Sequence, residues 1–122
     1  MGTVIFENGL YNLEEKIENY IAFYDSYSDF QYRILALGVM IRYNQFDRAE
    51  DYLKSIETEN EEQIDYLYTQ NVNIAFSRNP FNFELTNEQR NRLNEIKSNE
   101  DPMSIYAYSI LDVIDSDYLF NE

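Results

Sequence analysis

Carboxylates are the side chains of this 122-residue chain whose numbers and spacing come nearest to suggesting chemistry. Glu14 and Glu18, Asp47 and Asp51, and Glu61 and Asp65 each stand four residues apart, so on a helix each pair would share a face closely enough to hold a metal ion. Asp112, Asp115 and Asp117 approach the spacing of a calcium loop. None of these arrangements is complete. The chain has no histidine and no cysteine. That excludes the Glu-x-x-His motif of di-metal bundles, thiolate metal sites, disulfides and cysteine nucleophiles. General acid–base or nucleophilic work would fall on carboxylates, tyrosines, lysines or serines, which form no specific constellation. The Asp112 group lacks the glycine and the terminal bidentate glutamate of a calcium loop, and Asp112 itself falls within a helical pattern. The three isolated glycines make no phosphate-cradling loop. A protein without catalytic activity, metal or cofactor is therefore expected.

The same carboxylates suggest binding instead. Twenty-three acidic residues against nine basic ones leave a formal charge of −14, a field that repels nucleic acid and anionic membrane and speeds encounter with a cationic surface. The acids gather in two stretches free of bases. Glu57, Glu59, Glu61, Glu62 and Asp65 fall in residues 55–77, and Glu100, Asp101, Asp112, Asp115, Asp117 and Glu122 follow Lys97. Helical spacing sets Glu62, Asp65, Tyr66 and Thr69 away from an apolar stripe of Ile64, Leu67 and Tyr68. It likewise sets Ser104, Tyr108, Asp112 and Asp115 away from Tyr106, Ile110 and Ile114. Each outer face would combine carboxylates, which select cationic partners, with a tyrosine, which anchors interfaces. The candidate partner-binding residues are thus Glu57, Glu59, Glu61, Glu62, Asp65 and Tyr66 in one patch and Tyr108, Asp112 and Asp115 in the other. Of the twelve tyrosines, Tyr20, Tyr24, Tyr52, Tyr68 and Tyr106 read as half-buried core, and Tyr66, Tyr108 and Tyr118 as exposed.

The elements that must position these residues are helices. Three glycines and two prolines are too few for a turn-rich β fold, and the apolar period is near 3.6 throughout. Asn12, with Glu15 three residues on, opens a first helix carrying Ile17, Ile21 and Tyr24, preceded by an arm over residues 1–9 that is extended or, over residues 3–6, a lone strand. Residues 30–43, apolar nearly all round, predict a central helix. Residues 46–57 follow with Phe46, Ala49, Leu53 and Ile56. A fourth helix begins after an acidic turn and ends at Arg78-Asn79-Pro80. Residues 81–85 are an extended segment or a loop laid on the core. Thr86-Asn87-Glu88-Gln89 is a capping box for a short helix burying Leu93 and Ile96, and Asp101-Pro102 opens the last helix. The expected fold is all-α, a single-domain bundle of about six helices in antiparallel hairpins, with Ile17, Ile21, Ile34, Leu37, Ile41, Leu53, Ile56, Leu67, Ile110 and Ile114 in its core. No apolar run approaches the ~20 residues of a membrane span. The first residues lack the basic region and apolar stretch of a signal peptide, so a cytoplasmic monomer or weak dimer is expected.

Ala36-Leu37-Gly38, Tyr43, Phe46-Asp47-Arg48-Ala49 and Tyr52-Leu53 together resemble a tetratricopeptide-type helix hairpin, in which small residues let two helices approach closely. Gly38 to Ala49 is one residue shorter than that family's spacing, and the turn glycine is missing. In size and charge the chain also resembles bacterial immunity proteins and antitoxins. That resemblance implies a non-enzymatic inhibitor that blocks the cationic cleft of a nuclease-type toxin. Two alternatives stand beside it. Acids recurring about every 6 Å along a helix could imitate DNA phosphates, as in a phage anti-defence inhibitor, or the chain could be a helical adaptor whose acidity serves solubility.

Overall fold

The computed structural model describes residues 2–116, with side chains from residue 12 onward. Among these residues there are six helices and no strand: α1 (Gly2–Asp25), α2 (Phe30–Arg42), α3 (Phe46–Ser55), α4 (Glu61–Arg78), α5 (Asn87–Lys97) and α6 (Ser104–Ile114). The fold is all-α. Contacts group the chain into two compact units, Met1–Tyr52 and Leu53–Glu122.

In the first unit α1 packs on α2 across the short link 26–29, burying Ile17, Ile21, Ala36, Leu37 and Met40, and Ala49 of α3 is also buried. Side-chain bonds tie the three helices together. Asp25 Oδ1 accepts from Arg33 Nη1 at 3.1 Å and from the Tyr52 hydroxyl at 2.8 Å, and Arg48 Nη1 donates to Glu18 Oε2 at 2.6 Å. The expected arm over residues 1–9, extended or strand, is helical backbone from Gly2, which makes Asn12 an interior position and not a cap. A single interior glycine costs about 1 kcal/mol against alanine, too little to stop a helix anchored by Ile17 and Ile21. A lone strand, by contrast, would leave its backbone groups unpaired.

The link from α2 to α3 turns on Asn44, whose φ of 63° is left-handed. Gln45 N–H reaches back to Met40 O at 2.8 Å, so Asn44 takes the helix-terminating role that glycine usually fills. The close helix contact expected at Gly38 does not occur: the residue is exposed, and a Cβ built there would meet nothing within 4 Å. Nor is α2 buried on all sides. Leu35 is exposed and Ile34 and Ile41 are half-buried, because only the face carrying Ala36, Leu37 and Met40 is covered.

The second unit is built around Val72 and Phe76 of α4, Leu93 and Ile96 of α5, and Ala107, Ile110, Leu111 and Ile114 of α6. Residues 81–85 are a loop laid on this core, with Phe83 and Leu85 packed inward and the Phe83 ring edge-on to Phe76 at 5.9 Å. Of the expected core residues, Ile56, Leu67, Ile110 and Ile114 are buried and Leu53 is half-buried. The capping box of α5 forms: Thr86 Oγ1 accepts from Gln89 N–H and Gln89 Oε1 accepts from Thr86 N–H, both at 3.0 Å. Asp101 Oδ1 accepts from Ser104 N–H at 2.9 Å, capping the turn that leads into α6.

The helix buried on most sides is α4, where Tyr66, Leu67, Thr69, Gln70, Val72, Ile74 and Phe76 are all enclosed. Ile64, placed by its sequence pattern on the inner stripe, is 41% exposed. Buried Thr69 donates to the Asp65 carbonyl at 2.9 Å, and Gln70 Oε1 accepts from Asn73 Nδ2 at 3.3 Å. These bonds offset the cost of enclosing polar groups.

Candidate interaction surface

The turn before α4 is fixed by a reciprocal cap. Asn60 Oδ1 accepts from Gln63 N–H at 2.9 Å, and Gln63 Oε1 accepts from Glu59 N–H at 2.8 Å. The signal, Asn60 followed three residues later by Gln63, stood in the sequence within what reads as a merely polar turn. The cap presents Glu57, Glu59 and Glu61 to solvent and leaves Glu62 half-buried. None of these four forms a salt bridge among the described residues.

Two members of that expected patch do not belong to its surface. Asp65 turns toward α5: its side chain is 13% exposed, Arg92 Nη2 meets Oδ1 at 2.7 Å, and Asn99 Nδ2 donates to Oδ2 at 3.3 Å. Arg92 also lies over the Tyr68 ring, 5.5 Å from its centroid. Tyr66 is buried, its ring edge-on to Tyr106 at 5.0 Å. Burial, and then the neighbouring Tyr106, push its hydroxyl up to about 12. The sequence pattern misplaces both because apolar residues at 64, 67, 68, 72, 74, 75 and 76 fit more than one helical phase. The helix adopts the phase that encloses Thr69 and Gln70.

The second patch is compensated by a neighbouring helix. Arg90 of α5 grips Asp115 with two bonds, Nη1 to Oδ2 and Nη2 to Oδ1, each 2.9 Å. These bonds hold the Asp115 carboxyl below the usual carboxylate range, against the smaller opposing effect of burial. Tyr108 is exposed as expected, but Lys97 Nζ sits 4.8 Å from its ring centroid. Asp112 is exposed, beside these groups in a small depression that also includes Asn94 and Leu111. The surface of α6 is thus mixed in charge despite the base-free stretch that encodes it. Tyr118, Asp117 and Glu122 lie outside the described residues. Among the half-buried expectations, Tyr24, Tyr52 and Tyr68 agree, whereas Tyr20 and Tyr106 are 54% and 46% exposed.

A feature not read from the sequence lies between α4 and α6. Asn99, just past the end of α5, bonds Asp65 near the start of α4, and Arg90, near the start of α5, bonds Asp115 at the end of α6, so α5 runs opposite to both and α4 and α6 run parallel, with a groove of about 220 Å³ along them. Thr69, Asn73 and Phe76 line one side, and Tyr106, Ser109 and Val113 the other. Of these, Tyr106 and Val113 remain 46% and 45% exposed, an apolar rim on α6.

For catalysis the most developed polar cluster of the first unit offers little. Tyr52, bonded to Asp25, is pushed up to about 12 by burial and by that carboxylate, so at neutral pH it is a hydrogen-bond donor and not a base. No group of three or more carboxylates among the described residues is arranged to hold a metal ion. No helix among them is long and apolar enough to cross a membrane. No protein-family model, no curated protein and no solved structure matches the chain.

Proposed function

We propose that the protein is a non-enzymatic acidic binder that inhibits a basic protein by occupying its cationic cleft, in the manner of an immunity protein neutralising a nuclease-type toxin. The supporting observation is the set Glu57, Glu59, Glu61 and Glu62, held on a capped turn without a cationic partner among the described residues. Acids in the first turn of a helix complement its dipole by about 0.3–1 kcal/mol. That gain accounts for Glu61 and Glu62 but not for Glu57 and Glu59, which precede the helix. An uncompensated carboxylate group is suited to steering a cationic surface into contact. In this reading the protein works in the cytoplasm as a monomer or weak dimer, needs no cofactor and binds no nucleic acid itself.

The test is to identify the partner by affinity capture and then measure its activity and binding kinetics. A basic, nucleic-acid-acting enzyme should be captured and lose activity on binding. Its association should slow markedly when salt rises from about 50 to about 500 mM, which shortens the screening length from about 14 Å to about 4 Å, while dissociation changes less. Reversing Glu59, Glu61 and Glu62 to Lys together should weaken binding with helical content intact. Unchanged affinity would mean that the acidity serves solubility alone.

A second reading, a helical adaptor with tetratricopeptide-like packing, draws on the burial of both Ala36 and Ala49 and on Asn44 in the role of the missing turn glycine. Capture of an assembly scaffold whose binding ignores salt would favour it.

A further inference from the structure

We infer that the α4–α6 groove receives an amphipathic helical segment of the cationic partner, with its apolar face between the two helices and its basic residues toward the N-terminal end of α4. The inference rests on the binder reading above and names the part of the surface that engages apolar side chains. Three observations carry it.

The first is room. The groove encloses about 220 Å³, and an apolar cavity of roughly 150 Å³ already admits a benzene-sized group, so a leucine or phenylalanine side chain fits. The second is chemistry. Phe76, Ile110 and Val113 supply apolar walls, and the exposed rim of Tyr106 and Val113 continues them outward. Ser109 sets a neutral hydroxyl beside these walls, next to the Asn73 amide that Gln70 and Ser77 hold in place.

The third observation is the distribution of charge. No lysine or arginine lines the groove, and Glu62 lies four residues before Tyr66 and seven before Thr69, on the groove side of α4. Glu59, Glu61 and exposed Glu100 cluster in sequence around the start of α4 and the turn that leads into α6. Because the helices run parallel, both of these starts lie at one end of the groove. An apolar trough with carboxylates at one end matches a helix that has apolar residues at i, i+3, i+4 and i+7 and lysines or arginines beside them. A second copy of this chain, itself at −14, would meet repulsion there.

The test uses the full chain, isotope-labelled, and three synthetic peptides. One is a leucine–lysine helix with all leucines on one face, the second has the same residues scrambled so that no face forms, and the third is the first with glutamate in place of lysine. The amphipathic basic peptide should shift the amides of Thr69, Asn73, Ser109 and Val113 and bind about tenfold more tightly than the scrambled one. Val113→Arg, at a rim position, should weaken it about tenfold, and Ser109→Trp, which fills the groove, should do the same should the first variant fold poorly. Glu61→Gln with Glu62→Gln should weaken it and flatten its salt dependence.

Equal binding of the two basic peptides, with shifts confined to residues 57–62, overturns the groove inference and leaves the acidic binder reading standing. Binding that responds to Val113→Arg but ignores salt, the Glu61 and Glu62 changes and the glutamate peptide's charge overturns both, because the occupant would then not be chosen by its charge.

Discussion

Removing the Asp65 carboxylate separates a structural from a binding role more sharply than any other single change. Its sequence position places Asp65 in the partner-binding patch, but in the folded chain it is 13% exposed and bonded to Arg92 at 2.7 Å. Asp65→Ala removes a charge-assisted hydrogen bond, worth about 1.5–3 kcal/mol. It also orphans the Arg92 guanidinium, whose Nε is already buried without a partner. Breaking a fully buried pair costs about 3–5 kcal/mol. Arg92 is 37% exposed and water can rehydrate its outer nitrogens, which places the expected loss at about 1–3 kcal/mol. At about 3–6 °C per kcal/mol for a chain of this size, thermal unfolding followed by circular dichroism should drop by roughly 3–18 °C. Glu57→Ala, at an exposed position ahead of the helix and without a salt bridge among the described residues, is the control and should stay within about 0.5 kcal/mol. Should Asp65→Ala melt like the control while weakening partner binding, the assignment of Asp65 to the fold would be wrong.

Other outcomes follow from the same structure. Leu37→Ala in the first unit and Leu93→Ala in the second, at sites 1% and 0% exposed, should each cost about 2–5 kcal/mol in denaturant unfolding. Gly38→Ala, in a helix interior with open space around it, should instead stabilise by about 0.5–1 kcal/mol, and a loss of stability would reveal a contact that the structure does not contain. Tyr52 and Tyr66 are both pushed from 10.0 up to about 12 in the folded state. Between these values the unfolded chain gives up protons that the folded chain keeps, so stability should fall as pH rises from 10 toward 12, and tyrosinate absorbance should show a late-titrating fraction. Titration of every tyrosine together near 10 would contradict the burial of Tyr66.

The all-α class follows from local patterns. The helical period of Ile17, Ile21 and Tyr24 and the Thr86–Gln89 capping box each depend on residues a turn or two apart, so this short-range chemistry is legible without the packing. The Asn12–Glu15 spacing is the same kind of signal and lies inside α1, because a cap motif marks a helix start only where the helix has a reason to begin. What the sequence by itself leaves open is the phase of α4. With apolar residues on several sides, the choice that encloses Tyr66, Thr69 and Gln70 depends on which of them meet α6 and which gain hydrogen bonds, and that is settled between helices. The charge map is decided in the same way. Arg90 and Asp115 are 25 residues apart in the chain, and Arg92 and Asp65 are 27 apart, yet each pair lies within hydrogen-bonding reach in the fold. Acids close in the chain form two patches, and tertiary packing leaves only Glu57, Glu59, Glu61 and Glu62 of the first without an opposite charge among the described residues, because Coulomb interactions follow distance in space and not position in the chain.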